Sequence, residues 1–486
     1  MATSRTPIGV TTSVAIQSAP TAQTVPSGRA QFIGITAKGP LSYANTIRSI
    51  DEYTRLFGGR TGYETLYDSV RTFFQEGGGE CFITRVVGAA ATNGSVTLTD
   101  GATEAAKDVL TVEVIDPGAH SADYVATVTT AGAGFDLAVT EKTTGRVIVS
   151  LPGAESPADL ANMAIGNTQV IIKDLGAGVN PGPGVFPVSA GSDDRSSITI
   201  TDYVAAADAH KAVPAGVGMA APGMLATVAA TPLGQHADER GKIFVTALAA
   251  TATLDEAVAA GESLLNAPSG RSVGVFYPHL RIPDTTARTR TISPEAYVLA
   301  ARSVTHRTDS PAKAPAGINS KILWATSPVR VLDEDDINVL DRAGINGIHT
   351  AGGTSFLDNW RSLHTDPSLS KLNDTDALNQ ISIALREGMR PLIWRPNEGR
   401  ERLRGEATAI VDSVLQPYVR GGYVYPTTDG EGNELNAGYT VAVEDIDVSG
   451  QNSPYDQLRV DVAIKLSPTV RHISVPIRSV DLRATL

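Results

Sequence analysis

The chain has one cysteine in 486 residues. An intrachain disulfide is therefore excluded, and nothing calls for an oxidising compartment. It has no run of 18 apolar residues, so no membrane-spanning helix and no membrane insertion are expected. The opening stretch, MATSRTPIGVTTSVAIQSAPTAQTVPSG, is polar, broken by prolines and without the apolar core of a signal peptide. Positive charge is also short: 40 Lys and Arg against 52 Asp and Glu leave a net charge of −12. That balance argues against broad contact with nucleic-acid phosphates, so no direct nucleic-acid binding is expected. No internal repeat is present. Hydrophobic residues at 42% and charged residues at 19% leave an ordinary folded balance, and the length allows two to four domains.

Catalytic motifs are missing too. DLGAGVNPGPG holds Gly176 and Gly178, but Pro181 stands where a dinucleotide-binding motif needs glycine, and Pro183 forbids the following helix. ERGKIF lacks the glycine spacing and the Ser or Thr of a phosphate loop. There is no G-x-S-x-G elbow. The eight histidines are scattered, without a zinc pattern. DEDD, Asp333–Asp336, is the best metal candidate, yet it precedes a helical run, where carboxylates meet the positive end of the helix dipole. A solvated N-cap is the favoured reading there. No catalytic, cofactor or metal site is expected.

What is present is a set of structural joints. In TGYETLYDSVRTFFQEGGGECFITRVVG, residues 61–88, Tyr63, Leu66, Tyr67, Val70, Phe73 and Phe74 share one helical face. Thr61 and Glu64 have capping-box spacing, Gly77 reads as the C-cap, and Cys81 to Val86 alternate as a strand. A phosphate loop requires the opposite order, with glycines before a helix N-terminus. Cys81 lies between Glu80 and Phe82, far from the basic setting of a reactive thiolate.

The pattern predicts an α/β (α+β) multidomain chain. Residues 1–28 form an N-terminal arm and 29–90 a first core segment. Residues 91–188 are an inserted all-β domain, 189–466 the resumed core, and 467–486 a C-terminal arm. In the N-arm Ile8, Val10, Val14 and Ile16 alternate with polar residues. Near the C-terminus Leu458, Val460, Val462, Ile464 and Leu466 line one face of a strand. Ile473, Val475 and Ile477 line another, after which the apolar phase shifts to Val480 and Leu482. Terminal strands of this kind pair either within their own chain or with a neighbouring copy; the second arrangement is head-to-tail and generates a ring or an open helical tube. Periodicity leaves both open.

Four stretches then resemble the tail sheath proteins of contractile bacteriophages and related injection machines. They are QFIGITAKGPLSYANTIRSIDEYTRLFGG, LYDSVRTFFQEGGGECFITRV, SAGSDD…ITDYVAA and SPEAYVLAARSVTHRTDSPAKAPAG, with AGIN at 343–346 as a fifth, shorter match. The family's N-terminal Pro-Gly-Val-Tyr-Val-Glu-Glu is reduced here to TPIGVTTSVAI, and its Trp-Gly-Ala-Arg-Thr run becomes GIHTAGGTSFLDNWRSL. The resemblance implies a discontinuous sheath core and no enzymatic activity. It implies stacked hexameric rings of the chain itself around an inner tail tube protein, with baseplate and tail terminator proteins as partners. It places the protein in a virion tail sheath assembled in the host cytoplasm. It also implies N- and C-arms that interlock neighbours by strand exchange beside Leu458–Leu466. Two alternatives are a sheath of a cell-encoded injection system and a metal-dependent α/β enzyme using Asp333–Asp336.

Overall fold

A computed structural model describes residues 27–396, 401–429, 431, 434–446 and 457–468. The chain packs as two units: one spans Pro26–Asn379, and the other holds the described residues from Gln380 onward.

The larger unit is built on a seven-stranded sheet. Its strands are β1 (Ala30–Gly34), β2 (Cys81–Arg85), β3 (Gly218–Leu225), β4 (Ile243–Ala247), β5 (Val273–Tyr277), β6 (Ile345–Ala351) and β7 (Thr354–Leu357). They lie in the order β7-β6-β5-β4-β3-β1-β2, parallel except for β7. β1, β2, β4 and β5 are buried along their whole length, as parallel strands covered on both faces must be. One face is covered by α1 (Ile50–Phe57), α2 (Tyr67–Gln75) and, later in the chain, the helix Glu295–Thr308; there Phe32, Tyr53, Phe57, Phe73, Val245, Tyr297 and Leu299 form one cluster. The other is covered by α3 (Ile200–Ala209), α4 (Ala226–Glu239) and α5 (Leu254–Leu264), with the helix Glu334–Arg342. These last two later helices are α6 (Glu295–Thr308) and α7 (Glu334–Arg342).

The triple glycine is a structural joint. Gly77 adopts φ +93° after α2, and a Cβ on Gly78 would lie 2.5 Å from the Phe73 ring. Cys81 is fully buried in β2. Two expectations need correction. The Thr61 hydroxyl accepts from the Glu64 N–H at 3.2 Å, but this turn precedes the helix; Glu64 instead accepts from the Tyr67 N–H at 2.6 Å. Tyr63 lies outside α2 and is 42% exposed, because Arg195 covers its ring at 3.6 Å rather than the core.

Between β2 and α3 the chain enters and leaves a β-rich module side by side: Thr92 and Ser192 exchange backbone hydrogen bonds at 2.7 and 2.9 Å. Strands Ser95–Thr99, Asp108–Val114 and Val170–Asp174 form one sheet. Tyr124–Ala131, Gly134–Glu141, Val147–Ala154 and Gly184–Pro187 form a second. Leu110, Val112, Val128, Leu137 and Val139 fill the space between them. The module is not purely β: a helix, Pro157–Met163, starts at the Ser156 N-cap and packs Leu160 into this cluster. Its single turn-and-a-half of apolar spacing is too short to stand out in the sequence. Arg85, 1% exposed, ties module to core by donating to the carbonyls of Gly39 at 2.7 Å and Pro117 at 2.8 Å.

One buried carboxyl sets a pH dependence. Glu295 opens α6, is 1% exposed, and has only the Ser293 hydroxyl and its own backbone N–H to offset its burial. Burial pushes its carboxyl up to about 7. The folded state therefore favours the protonated form. That contribution is full below the unfolded value near 4.5 and is lost as pH rises through about 7. At pH 8 the buried charge costs roughly 3 kcal/mol, taking 1.36 kcal/mol per pH unit. Glu295→Gln is expected to raise the thermal midpoint clearly at pH 8 and much less at pH 5. Equal shifts in calorimetry at the two pH values would refute this assignment.

Candidate assembly surface

The second unit is a helix pair under a small sheet. The helices are α8 (Leu372–Met389), whose later turns belong to this unit, and α9 (Glu401–Arg420). The sheet is the antiparallel pair β8 (Tyr439–Ile446) and β9 (Gln457–Ile464). On α9 the face of Ala407, Ile410, Val411, Val414 and Leu415 is buried, with none of the five above 4% exposure, while Leu403 and Tyr418 at its ends are half-buried. Ile381, Ala384, Leu385 and Met389 of α8 meet it. Gly388 permits the close approach, since a Cβ there would lie 2.8 Å from the Ile410 side chain. Gly421 and Gly422 follow α9 as a turn, Gly422 at φ +75°.

The pair β8–β9 shows strict two-sidedness. Tyr439, Val441, Val460, Val462 and Ile464 pack toward the helices, and the Tyr439 hydroxyl donates to Asp412 at 2.7 Å. Arg404 of α9 pairs with Asp445. The opposite face carries Thr440, Ala442, Glu444, Arg459, Asp461 and Ala463, all exposed. Register places Val441 opposite Val462 and Glu444 opposite Arg459. Thus Leu458, Val460, Val462 and Ile464 do share one face, although Leu458 sits opposite Asp445 at the open end. Leu466 lies beyond the strand: it bridges to Val424, while the Lys465 carbonyl accepts from the Tyr425 N–H at 2.7 Å. Among the described residues the sheet has only these two strands.

The remaining predicted positions, Ile8, Val10, Val14 and Ile16 of the N-arm and Ile473, Val475, Ile477, Val480 and Leu482 of the C-arm, lie outside the described residues.

Chemistry finds no foothold at the place where the fold would offer it. In an open α/β sheet ligands bind at the strand C-termini where the order reverses. Here that point lies between β1 and β3, and the chain fills it. Thr65 Oγ1 accepts from the Ile35 N–H at 3.1 Å, Leu66 is fully buried, and a Cβ on Gly34 would lie 2.5 Å from Thr65 Oγ1. Asp333 is the N-cap of α7 and forms a reciprocal capping box with Asp336. Among the described residues no group of three His, Cys, Asp or Glu side chains is placed to hold a metal ion. No described helix is long and apolar enough to cross a membrane.

Sequence reasoning missed the buried charged groups. Glu76, 3% exposed, accepts from the N–H groups of Leu323, Trp324 and Ala325 at 2.7, 3.0 and 2.7 Å. It fixes the loop that follows the Lys-Ala-Pro-Ala stretch, and Arg71 stacks over Trp324. Arg60 bridges Asp68 and Asp284, and Arg290 reaches the same two carboxylates. This clamps the hairpin Leu280–Pro283/Thr289–Ile292 to α2.

The architecture is that of contractile sheath proteins. Over 92% of the chain and 96% of its counterpart, it is similar to the crystal structure of a sheath tail protein from Listeria innocua, with a TM-score of 0.58 at 12% identity. A sheath tail protein from Desulfitobacterium hafniense matches over 94% and 100%, with a TM-score of 0.53 at 16% identity. The PVC sheath complex of an extracellular contractile injection system, in its contracted state, matches over 98% of both chains, with a TM-score of 0.55 at 12% identity. No family model and no curated protein matches the chain by sequence. At these identities the likeness is one of fold.

The two-unit division carries its own expectation. Leu415→Ala removes a fully buried side chain from the second unit's core and is expected to destabilise that unit by about 2–5 kcal/mol. Calorimetry of the full chain should show one transition moving down by several degrees while the transition of the larger unit stays in place. A single transition moving as a whole would mean that the units unfold together.

Proposed function

We propose that the chain is the structural subunit of a contractile sheath. Copies stack as hexameric rings around an inner tube. The N- and C-terminal arms, through Ile8, Val10, Val14 and Ile16 and through Ile473, Val475, Ile477, Val480 and Leu482, add strands beside β8 and β9 in neighbouring copies. Subunits then rearrange as rigid bodies from an extended to a contracted state, driving the tube through an envelope. The observation that carries this reading is the amphipathic sheet, two-stranded among the described residues, in a chain whose fold is similar to sheath structures over 92% and 98% of its length. A strand added over about five ladder bonds contributes a few kcal/mol net, at roughly 0.5–1.5 kcal/mol each. Many such links in parallel survive while other contacts change. A baseplate and a terminator complete the assembly at its ends, and assembly takes place in the cytoplasm of the producing cell. A phage tail is the first reading. A cell-encoded injection system is the second, favoured by the likeness to the extracellular injection-system sheath.

Negative-stain microscopy of the full-length chain beside a chain ending at Pro468 tests the mechanism. Tubes or ring stacks are expected from the full-length protein alone. Equal assembly of both proteins, with or without added tube protein, would remove the C-terminal arm from the mechanism.

A further inference from the structure

The larger unit begins at Pro26 and ends at Asn379, and one buried side chain holds both ends. Arg302 lies in the middle of α6 and is 1% exposed. Its Nη1 donates to the Arg29 carbonyl at 3.2 Å, three residues in from Pro26. Its Nε and Nη2 each donate to a carboxylate oxygen of Asp376 at 2.6 Å, three residues before Asn379. Nη2 also donates to the Gly216 carbonyl, at 2.9 Å, just ahead of β3.

The same helix completes the node. His306, one turn beyond Arg302, places Nε2 3.1 Å from Asp376. Gly28, at φ +80°, runs so close to α6 that a Cβ on it would lie 3.1 Å from His306 Cβ and from Ser303 Cα. On the C-terminal side, Asn373 donates to the Ala312 carbonyl and Thr375 to the Arg271 carbonyl, both at 3.0 Å. These contacts fix the first turn of α8 on the larger unit.

A planar guanidinium suits this task. It presents several donors at fixed angles, so one residue grips a carboxylate bidentately and two carbonyls besides; an ammonium does not reproduce that geometry. Buried as it is, the pair cannot lose one partner without leaving an uncompensated charge. Two chain ends leaving a rigid body at distant points would resist rotation of whatever they carry. Two ends held by a single side chain share one fulcrum.

We propose that Arg302 is the positioning residue of the subunit: with Asp376 it gathers both exits of the larger unit at one buried pivot, through which load passes between that unit and the segments that continue the chain. The mechanical meaning rests on the sheath reading; the shared anchoring does not.

Hydrogen–deuterium exchange on the unassembled full-length chain tests the anchoring whether or not tubes form. In Asp376→Asn, and in the milder Arg302→Lys, amides at 28–31 and at 373–379 should exchange together, at least about tenfold faster than in the parent, while those of β4 and β5 keep their rates. Loosening of one segment alone, no change in either, or acceleration throughout the sheet would each overturn the pivot. If Asp376→Asn fails to fold, Arg302→Lys, which retains the buried charge, decides.

Discussion

Two strands cannot satisfy their own backbones. β8 and β9 exchange hydrogen bonds with each other, and among the described residues no third strand joins them. An isolated pair of this size is marginal in water, and its packing on α8 and α9 is what holds it. The same packing dictates how it can grow. Its far face carries Thr440, Glu444, Arg459 and Asp461, so a second apolar layer cannot stack on it. Growth is confined to the plane of the sheet, strand by strand. Any added strand must carry apolar residues at every second position to continue the inner face of Val441, Val460, Val462 and Ile464. Both chain termini have that spacing in their sequence.

The larger unit has the opposite character. Its sheet is covered on both faces, and its switch point is filled by Thr65 and Leu66. Several of its buried or part-buried charges make cross-links: Glu76 to the 323–325 loop, Arg60 to Asp284 of the 280–292 hairpin, Arg85 to the β-rich module. Each is a charge-assisted bond between segments far apart in sequence, and such bonds make a body that moves as a whole.

The sequence made some of this legible and hid the rest for definite reasons. Strand β9 and helix α2 were visible because their apolar residues recur at periods of two and three to four. The Asp333 cap was visible because capping is local. The Thr61–Glu64 spacing misled, because the pair closes a turn one step before the helix, whose first N–H Glu64 then takes. The Pro157–Met163 helix was hidden in a β-patterned region, where one short turn leaves no period. Glu76, Arg85 and Arg302 were illegible in principle. Each reads as a surface charge, and burial follows only from partners tens to hundreds of residues away, at Leu323–Ala325, Pro117 and Asp376. The division at Gln380 falls within the continuous helix α8, where hydropathy marks no boundary.

The two outer edges of the sheet are not equivalent, and this bears on the assembly a subunit can form. One belongs to β8 and the other to β9, which run in opposite directions, so a single incoming strand has a different polarity relation to each. If both edges took the same arm, each copy would bind one neighbour twice or two neighbours identically, and the product would be a closed pair or a simple filament. If one edge takes an N-terminal arm and the other a C-terminal arm, from two different copies, every subunit gives two strands and receives two. The contacts are then heterologous in two independent directions, and repetition produces a sheet of subunits that closes into a tube. A tube linked in two directions can shorten and widen while each link persists, because neither direction has to break for the other to change length. On the proposed sheath reading, the mechanical need of contraction is met by an asymmetry already present in two paired eight-residue strands.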